Sequence, residues 1–186
     1  MKVCVFGTYK NLIGAKRRKA VRLGELLAKS GITVVSGGFG GVMEDVSKGA
    51  KQAGGDTIGV TYYRDKSRKG KRANPFIDRE IETEDIFSRI EVMMDISDGF
   101  IVLEGGTGTL LELAALLEHI NKDMMAPKPV VAIGNYWKSA LATLKKEEIL
   151  NLRARKLFDI LTCNEIVRIA EDAEGAVREL RRFFRI

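Results

Sequence analysis

Short apolar runs alternate along this chain with stretches whose apolar residues recur every three or four positions. The former read as strands buried on both faces and the latter as amphipathic helices. Lys2 to Phe6 forms the first such run and ends at Gly7-Thr8. A helix from about Ile13 to Ser30 follows, with Val21, Leu23, Leu26 and Leu27 on its apolar side and Gly31 as its stop. Ile32 to Val35 is the second strand, leading into Ser36-Gly37-Gly38-Phe39-Gly40-Gly41, and a second helix spans about Val42 to Ala53. Thr57 to Thr61 is the third strand.

The rhythm breaks at 64–82, a polar, basic stretch that reads as a loop insertion or lid. It resumes with a helix from about Glu84 to Ser97, a strand from Gly99 to Leu103, and a helix carrying Leu110, Leu113, Leu117 and Ile120. A strand from Pro129 to Ile133, a helix near Trp137 to Leu144 and a last strand near Leu157–Leu161 precede a C-terminal helix, Asp172 to Phe184. Strands alternating with helices predict an α/β fold: a doubly wound, mostly parallel sheet with helices on both faces. The 186 residues suit a single domain over 1–186.

Composition narrows the function classes. No apolar run reaches the roughly 20 residues of a membrane span. The N-terminal stretch MKVCVFGTYK reads as a strand and not as a secretory signal, so a cytoplasmic location is expected. Cys4 and Cys163, far apart and in apolar surroundings, read as buried thiols of a reducing compartment. One histidine and no Cys/His spacing give no reason to expect a metal, and no cofactor is expected. The net charge of +6 suits an anionic ligand, but the charge is spread over many helices. The basic run at 64–72 has no interleaved aromatics, which argues against nucleic acid as a partner.

In such a sheet ligands bind beyond the carboxyl ends of strands, where the strand order reverses. If the first strand neighbours the strand at 99–103, three glycine-rich loops meet there: Gly7-Thr8, Ser36–Gly41 and Glu104–Thr109. Glycine lets backbone N–H groups approach a phosphate, and each loop feeds the positive end of a helix. None is a G-x-G-x-x-G or G-x-x-x-x-G-K-[ST] motif, which disfavours standard dinucleotide binding and P-loop hydrolysis. Gly105-Gly106-Thr107-Gly108-Thr109 is the sharpest candidate, with Thr107 and Thr109 adding hydroxyl donors. Glu112 lies one turn further on, placed either to act on a sugar or to close a capping box with Thr109. Arg89 falls at the flank of the stripe formed by Ile86, Ile90, Met93 and Met94. Either it turns to an anionic ligand or it snorkels over apolar neighbours. His119 lies seven residues after Glu112 and reads as a packing or subunit-contact residue.

The order of elements, GGFGGVMEDVSKGA at 37–50, RIEVMMDISDGFIVLEGGTGTLLELAALL at 89–117 and KPVVAIGNYW at 128–137 resemble the LOG (lonely guy) proteins. These proteins were long labelled possible lysine decarboxylases. They sit among Rossmann-like nucleotide-binding domains that include molybdenum-cofactor carriers and DNA-processing proteins. The resemblance implies a phosphoribohydrolase that cleaves the N-glycosidic bond of a nucleoside 5′-monophosphate to free base and ribose 5-phosphate. It implies catalytic roles for Arg89 and Glu112. It also implies nucleotide binding by Gly7, Thr8, Gly37, Gly38, Gly40, Gly41, Met43 and Gly105 to Thr109, and a homodimer or higher even-numbered homo-oligomer. The family pattern is P-G-G-x-G-T-x-x-E with an Arg-Lys pair fifteen residues upstream; here Glu104 replaces the proline and Ile90 the lysine. Glu104 brings a carboxylate to the phosphate loop, and its role is open. The two departures keep a second reading in view, a carrier that binds a nucleotide or phosphate-bearing cofactor without turnover. Decarboxylation through pyridoxal phosphate is disfavoured, because the three candidate loops carry no lysine for a Schiff base.

Overall fold

The computed structural model describes residues 1–62 and 73–186. Its centre is one parallel sheet of β1 (Lys2–Phe6), β2 (Thr33–Ser36), β3 (Thr57–Tyr62), β4 (Arg79–Thr83), β5 (Gly99–Val102), β6 (Val130–Ile133) and β7 (Val167–Ala170). The strands lie in the order β4-β3-β2-β1-β5-β6-β7. Every pairing is parallel, with β1 at the centre against β2 on one side and β5 on the other. The helices are α1 (Gly14–Lys29), α2 (Val42–Gln52), α3 (Ile86–Ile96), α4 (Thr107–Asn121), α5 (Lys138–Ala142), α6 (Leu152–Phe158) and α7 (Ala173–Phe184).

The strand pleat divides the core in two. Val3 and Val5 of β1 pack with Leu23 and Leu27 of α1, Val46 of α2 and Leu180 of α7. Cys4 and Phe6, between them in sequence, pack on the other face with Met93 of α3 and Leu113 and Leu116 of α4. Continuous apolar strands covered on both faces are what the sequence pattern predicts, and this doubly wound α/β fold is what forms.

Two expectations are corrected. The insertion at 64–82 is not loop throughout: its last residues enter β4, paired with β3 from Ile58↔Arg79 to Tyr62↔Thr83. An edge strand has one side in solvent and tolerates Arg79, Glu80 and Glu82, so its composition imitates a loop. The lid reading of the basic run falls on 64–72, outside the described residues. The strand expected near Leu157–Leu161 is instead the end of α6 and the turn after it, and the final strand is β7. Asn151 caps α6 by accepting from the N–H groups of Arg153 and Ala154, and Asp159 ends it at φ 54°. A short apolar run fits helix and strand equally, and here the cap decides. Among the described residues no helix is long and apolar enough to cross a membrane.

After β4 the chain returns through α3 to place β5 beside β1, so the strand order reverses at the β1/β5 junction. The loops leaving these two strands diverge and open a crevice.

Candidate functional site

That crevice is a cleft of about 760 Å³. Gly7 and Thr8 line one side, Gly105 to Thr109 the other, and Met43, Arg89 and Glu112 also face it. The loops are tied together at its base: the Thr8 N–H donates to the Glu104 carbonyl at 3.1 Å and the Val42 N–H to the Thr8 carbonyl at 2.9 Å. Two aromatic side chains brace the phosphate-loop candidate. Trp137 Nε1 donates to the Leu103 carbonyl at 2.9 Å and the Tyr136 hydroxyl to the Gly105 carbonyl at 2.7 Å.

Glu112 and Arg89 meet in this cleft. Arg89 is 5% exposed and Glu112 8%, so neither is a surface residue. Asp85 starts α3 by accepting from the N–H groups of Phe87 and Ser88, which fixes the helix turn that carries Arg89. Arg89 Nε then donates to the Val60 carbonyl at 2.7 Å, and its Nη1 lies 3.5 Å from Glu112 Oε1. The guanidinium carbon sits 5.3 Å from the Phe39 ring centre and 5.6 Å from that of Tyr62, which holds the cation by aromatic faces as well as by charge. Burial pushes the Glu112 carboxyl up to about 7, against the opposing pull of Arg89. A buried carboxyl titrating near neutrality beside a fixed cation is suited to proton transfer or to stabilising developing positive charge.

The capping reading of Glu112 does not hold. Gly106 is the residue before α4, Thr107 opens the helix, and Gly106 offers no side-chain cap. Thr109 is already inside the first turn and 3% exposed, so Glu112 is not the partner of a Thr109 cap.

The second glycine loop acts from behind the cleft. Gly37, Gly38, Gly40 and Gly41 are not among its lining residues, whereas Phe39 and Met43 are. A Cβ at Gly37 would collide with the Arg89 guanidinium, so this glycine makes the space that Arg89 fills. Gly41 sits at φ 68°, and the Thr8 carbonyl oxygen would lie against any Cβ placed there, so the position is barred to a side chain. Asn74 holds the same loop, its side-chain N–H₂ donating to the Gly38 and Phe39 carbonyls at 3.2 and 2.9 Å.

Glu104 points to α1, where its Oε2 pairs with Lys16 Nζ at 2.5 Å. Its charge therefore has a partner at the mouth of the cleft. The three glycine-rich loops carry no lysine, but the cleft does, since Lys10, Lys16 and Lys19 line it from the start of α1 and the loop before it. Lys16 makes a poor Schiff-base former even so, because the hydrogen bond to Glu104 raises its pKa. His119 is committed locally, its Nδ1 lying 2.7 Å from the Ala115 carbonyl within α4. Phe39, Tyr62, Asn74, Lys16 and Tyr136 were missed by sequence reasoning. The aromatics and Asn74 carry no charge pattern to flag them, and Lys16 is masked within the run KRRK.

Comparison with known proteins follows the geometry. An uncharacterised protein of Archaeoglobus fulgidus is 38% identical over 116 residues, covering 62% of this chain and 73% of its own. The cytokinin riboside 5′-monophosphate phosphoribohydrolase of Mycobacterium tuberculosis is 38% identical over 99 residues, covering half of each chain. This chain thus spans only about half the length of that enzyme. Among solved structures, the molybdenum cofactor binding protein of Rippkaea orientalis matches with a TM-score of 0.74 and 26% identity, over 98% of this chain and 96% of its own. The SLOG cluster4 family model matches residues 1–157, and the chain belongs to that family.

Proposed function

We propose that this protein is a phosphoribohydrolase acting on a nucleoside 5′-monophosphate. The observation that carries the reading is the buried Arg89–Glu112 pair set beside the first turn of α4 in a cleft of nucleotide size. In this reading the phosphate rests on the backbone N–H groups of Gly105–Thr109, where the helix dipole favours an anion. Arg89 orients the sugar phosphate. Glu112, one helical turn deeper, activates a water or stabilises the oxocarbenium-like sugar while the base departs. Both roles need the carboxylate ionised. The name of the Mycobacterium tuberculosis relative supports this reading.

The test is to incubate the protein with a panel of nucleoside monophosphates and follow free base by chromatography. Glu112→Gln is expected to slow base release by about 10²–10⁴-fold. Release that survives unchanged in this variant would remove Glu112 from the mechanism.

A carrier role is the second reading, favoured by the match to the Rippkaea orientalis protein over nearly all of both chains. An intact ligand retained through purification, with no base released from any monophosphate, would select it. A homodimer or higher even-numbered oligomer belongs to the same proposal and is checked by light scattering.

A further inference from the structure

Away from the cleft, the segment that carries α6 turns four leucines to solvent. Leu150, Leu152, Leu157 and Leu161 are 61%, 68%, 56% and 63% exposed. Their neighbours hold the inner side: Ile149, Ala154 and Ile160 are buried, and Asn151 Nδ2 donates to the Ile120 carbonyl at 2.7 Å. The Ile149 N–H donates to the Leu161 carbonyl at 3.1 Å and draws the two ends of the segment together. Single exposed leucines need no explanation, but four held outward on one anchored segment do.

Cations fall between them. At about 100° per residue, Leu152, Lys156, Arg153 and Leu157 share an arc of about 140° on α6, and all four are exposed. Arg168 joins them, its Nη2 donating to the Phe158 carbonyl at 3.0 Å. Arg153, Lys156 and Arg168 have no ion-pair partner among the described residues. Asp159 is the one carboxylate of residues 150–161, and that of Glu165 is taken up by the Leu161 and Thr162 N–H groups. Phe158 meets Phe183 with ring centres 5.7 Å apart, which sets the last turn of α7, with Arg181 and Arg182, beside α6.

This chemistry selects a partner. A two-fold contact with a second copy would set the cationic patch against itself, where like charges repel. Nucleic acid would satisfy the charges but stacks its bases on aromatic rings, and the outward residues here are aliphatic. Apolar side chains interspersed with unpaired cations match the boundary between anionic headgroups and acyl chains. We propose that α6 and its flanking turns dock on an anionic membrane surface, with the leucines entering the acyl boundary and Arg153, Lys156 and Arg168 meeting lipid phosphates. The patch lies toward the amino ends of the strands: Arg168 is the second residue of β7, and Phe184 of α7 packs on Gly99, the first of β5. The cleft opens at the carboxyl ends, so docking leaves its mouth in solvent.

Co-sedimentation of the full chain with vesicles of equal parts phosphatidylglycerol and phosphatidylcholine, against phosphatidylcholine alone, tests the proposal. Partition onto the anionic vesicles is expected to be at least about tenfold greater. Leu152→Ser/Leu157→Ser and Arg153→Ala/Lys156→Ala, exposed changes whose folding circular dichroism checks, are each expected to lower it about tenfold. Arg18→Ala/Lys29→Ala removes the same charge from α1 and is expected to leave it within about threefold. Equal partition onto both vesicles overturns the proposal. So does partition that survives the leucine change, or an equal loss in the α1 variant, either of which marks a general attraction of a basic chain. A wild-type oligomer that the leucine change dissociates in light scattering overturns it in favour of a second copy. Binding of a single-stranded oligonucleotide in place of vesicles overturns it in favour of nucleic acid.

Discussion

Glu112 owes its chemistry to burial, and its pH behaviour follows. With its carboxyl raised to about 7, the ionised form needed for catalysis accumulates as pH rises through neutrality. Base release per enzyme is therefore expected to climb with pH and level off above about 8, an inflection that a pH–rate profile of kcat/KM reads directly. The same shift costs stability in the opposite sense. Between the ordinary carboxylate value near 4.5 and the folded value near 7, the folded state binds more protons than the unfolded one, so the contribution of Glu112 to stability falls as pH rises through this window. Glu104 behaves differently because it is paired and half in solvent. Glu104→Gln releases Lys16 to a ligand and is expected to tighten phosphate binding about threefold at low salt, with the gain fading at high salt. Unchanged affinity for inorganic phosphate in a competition titration would show that Lys16 does not reach the anion. In the sequence, Arg89 and Glu112 stand out through their match to the LOG pattern, which sets an arginine and a glutamate on either side of the glycine loop. The sequence could not tell a cap from a carboxylate facing a cation, because that turns on whether α4 begins at Thr107 or later.

At the scale of elements, the loop after β2 illustrates how glycine positions a side chain without lining the cleft. Gly37→Ala would put a methyl group where the Arg89 guanidinium lies, and Arg89 must move for the protein to fold. This variant is expected to remain folded by circular dichroism and to lose base release at least about tenfold, through the misplaced cation. Gly41→Ala is the contrasting case. Its φ of 68° and the Thr8 carbonyl in contact call for a loss of about 1–3 kcal/mol in urea unfolding, with damage to stability before activity. β1, β2, β3, β5 and β6 were legible because buried parallel strands are continuous apolar runs. The two edge strands were not. β4 is charged where it meets water, and in β7 only Val167 and Ala170 are buried, leaving four residues with no readable period.

At the scale of the whole molecule, both cysteines report on the two-sided core. Cys4 is completely enclosed, its thiol raised well above its ordinary value first by burial and then by the charge of Glu112. Burial likewise lifts Cys163, to about 11. Neither thiol is expected to react with a thiol reagent in the native protein, and labelling rates in increasing urea should track global unfolding. Fast labelling of Cys4 without denaturant would reveal an opening between α3 and the sheet. β1, the strand that carries Cys4, also has a kinetic meaning. It occupies the middle of the sheet, yet its partner β5 begins at Gly99, more than ninety residues along the chain. Until β5 arrives, β1 has β2 on one side and an unpaired flank on the other. Refolding must close that long loop before the cleft exists at all, so the sheet's central seam, and with it the meeting of Arg89 and Glu112, is a late event of a slow, non-local search.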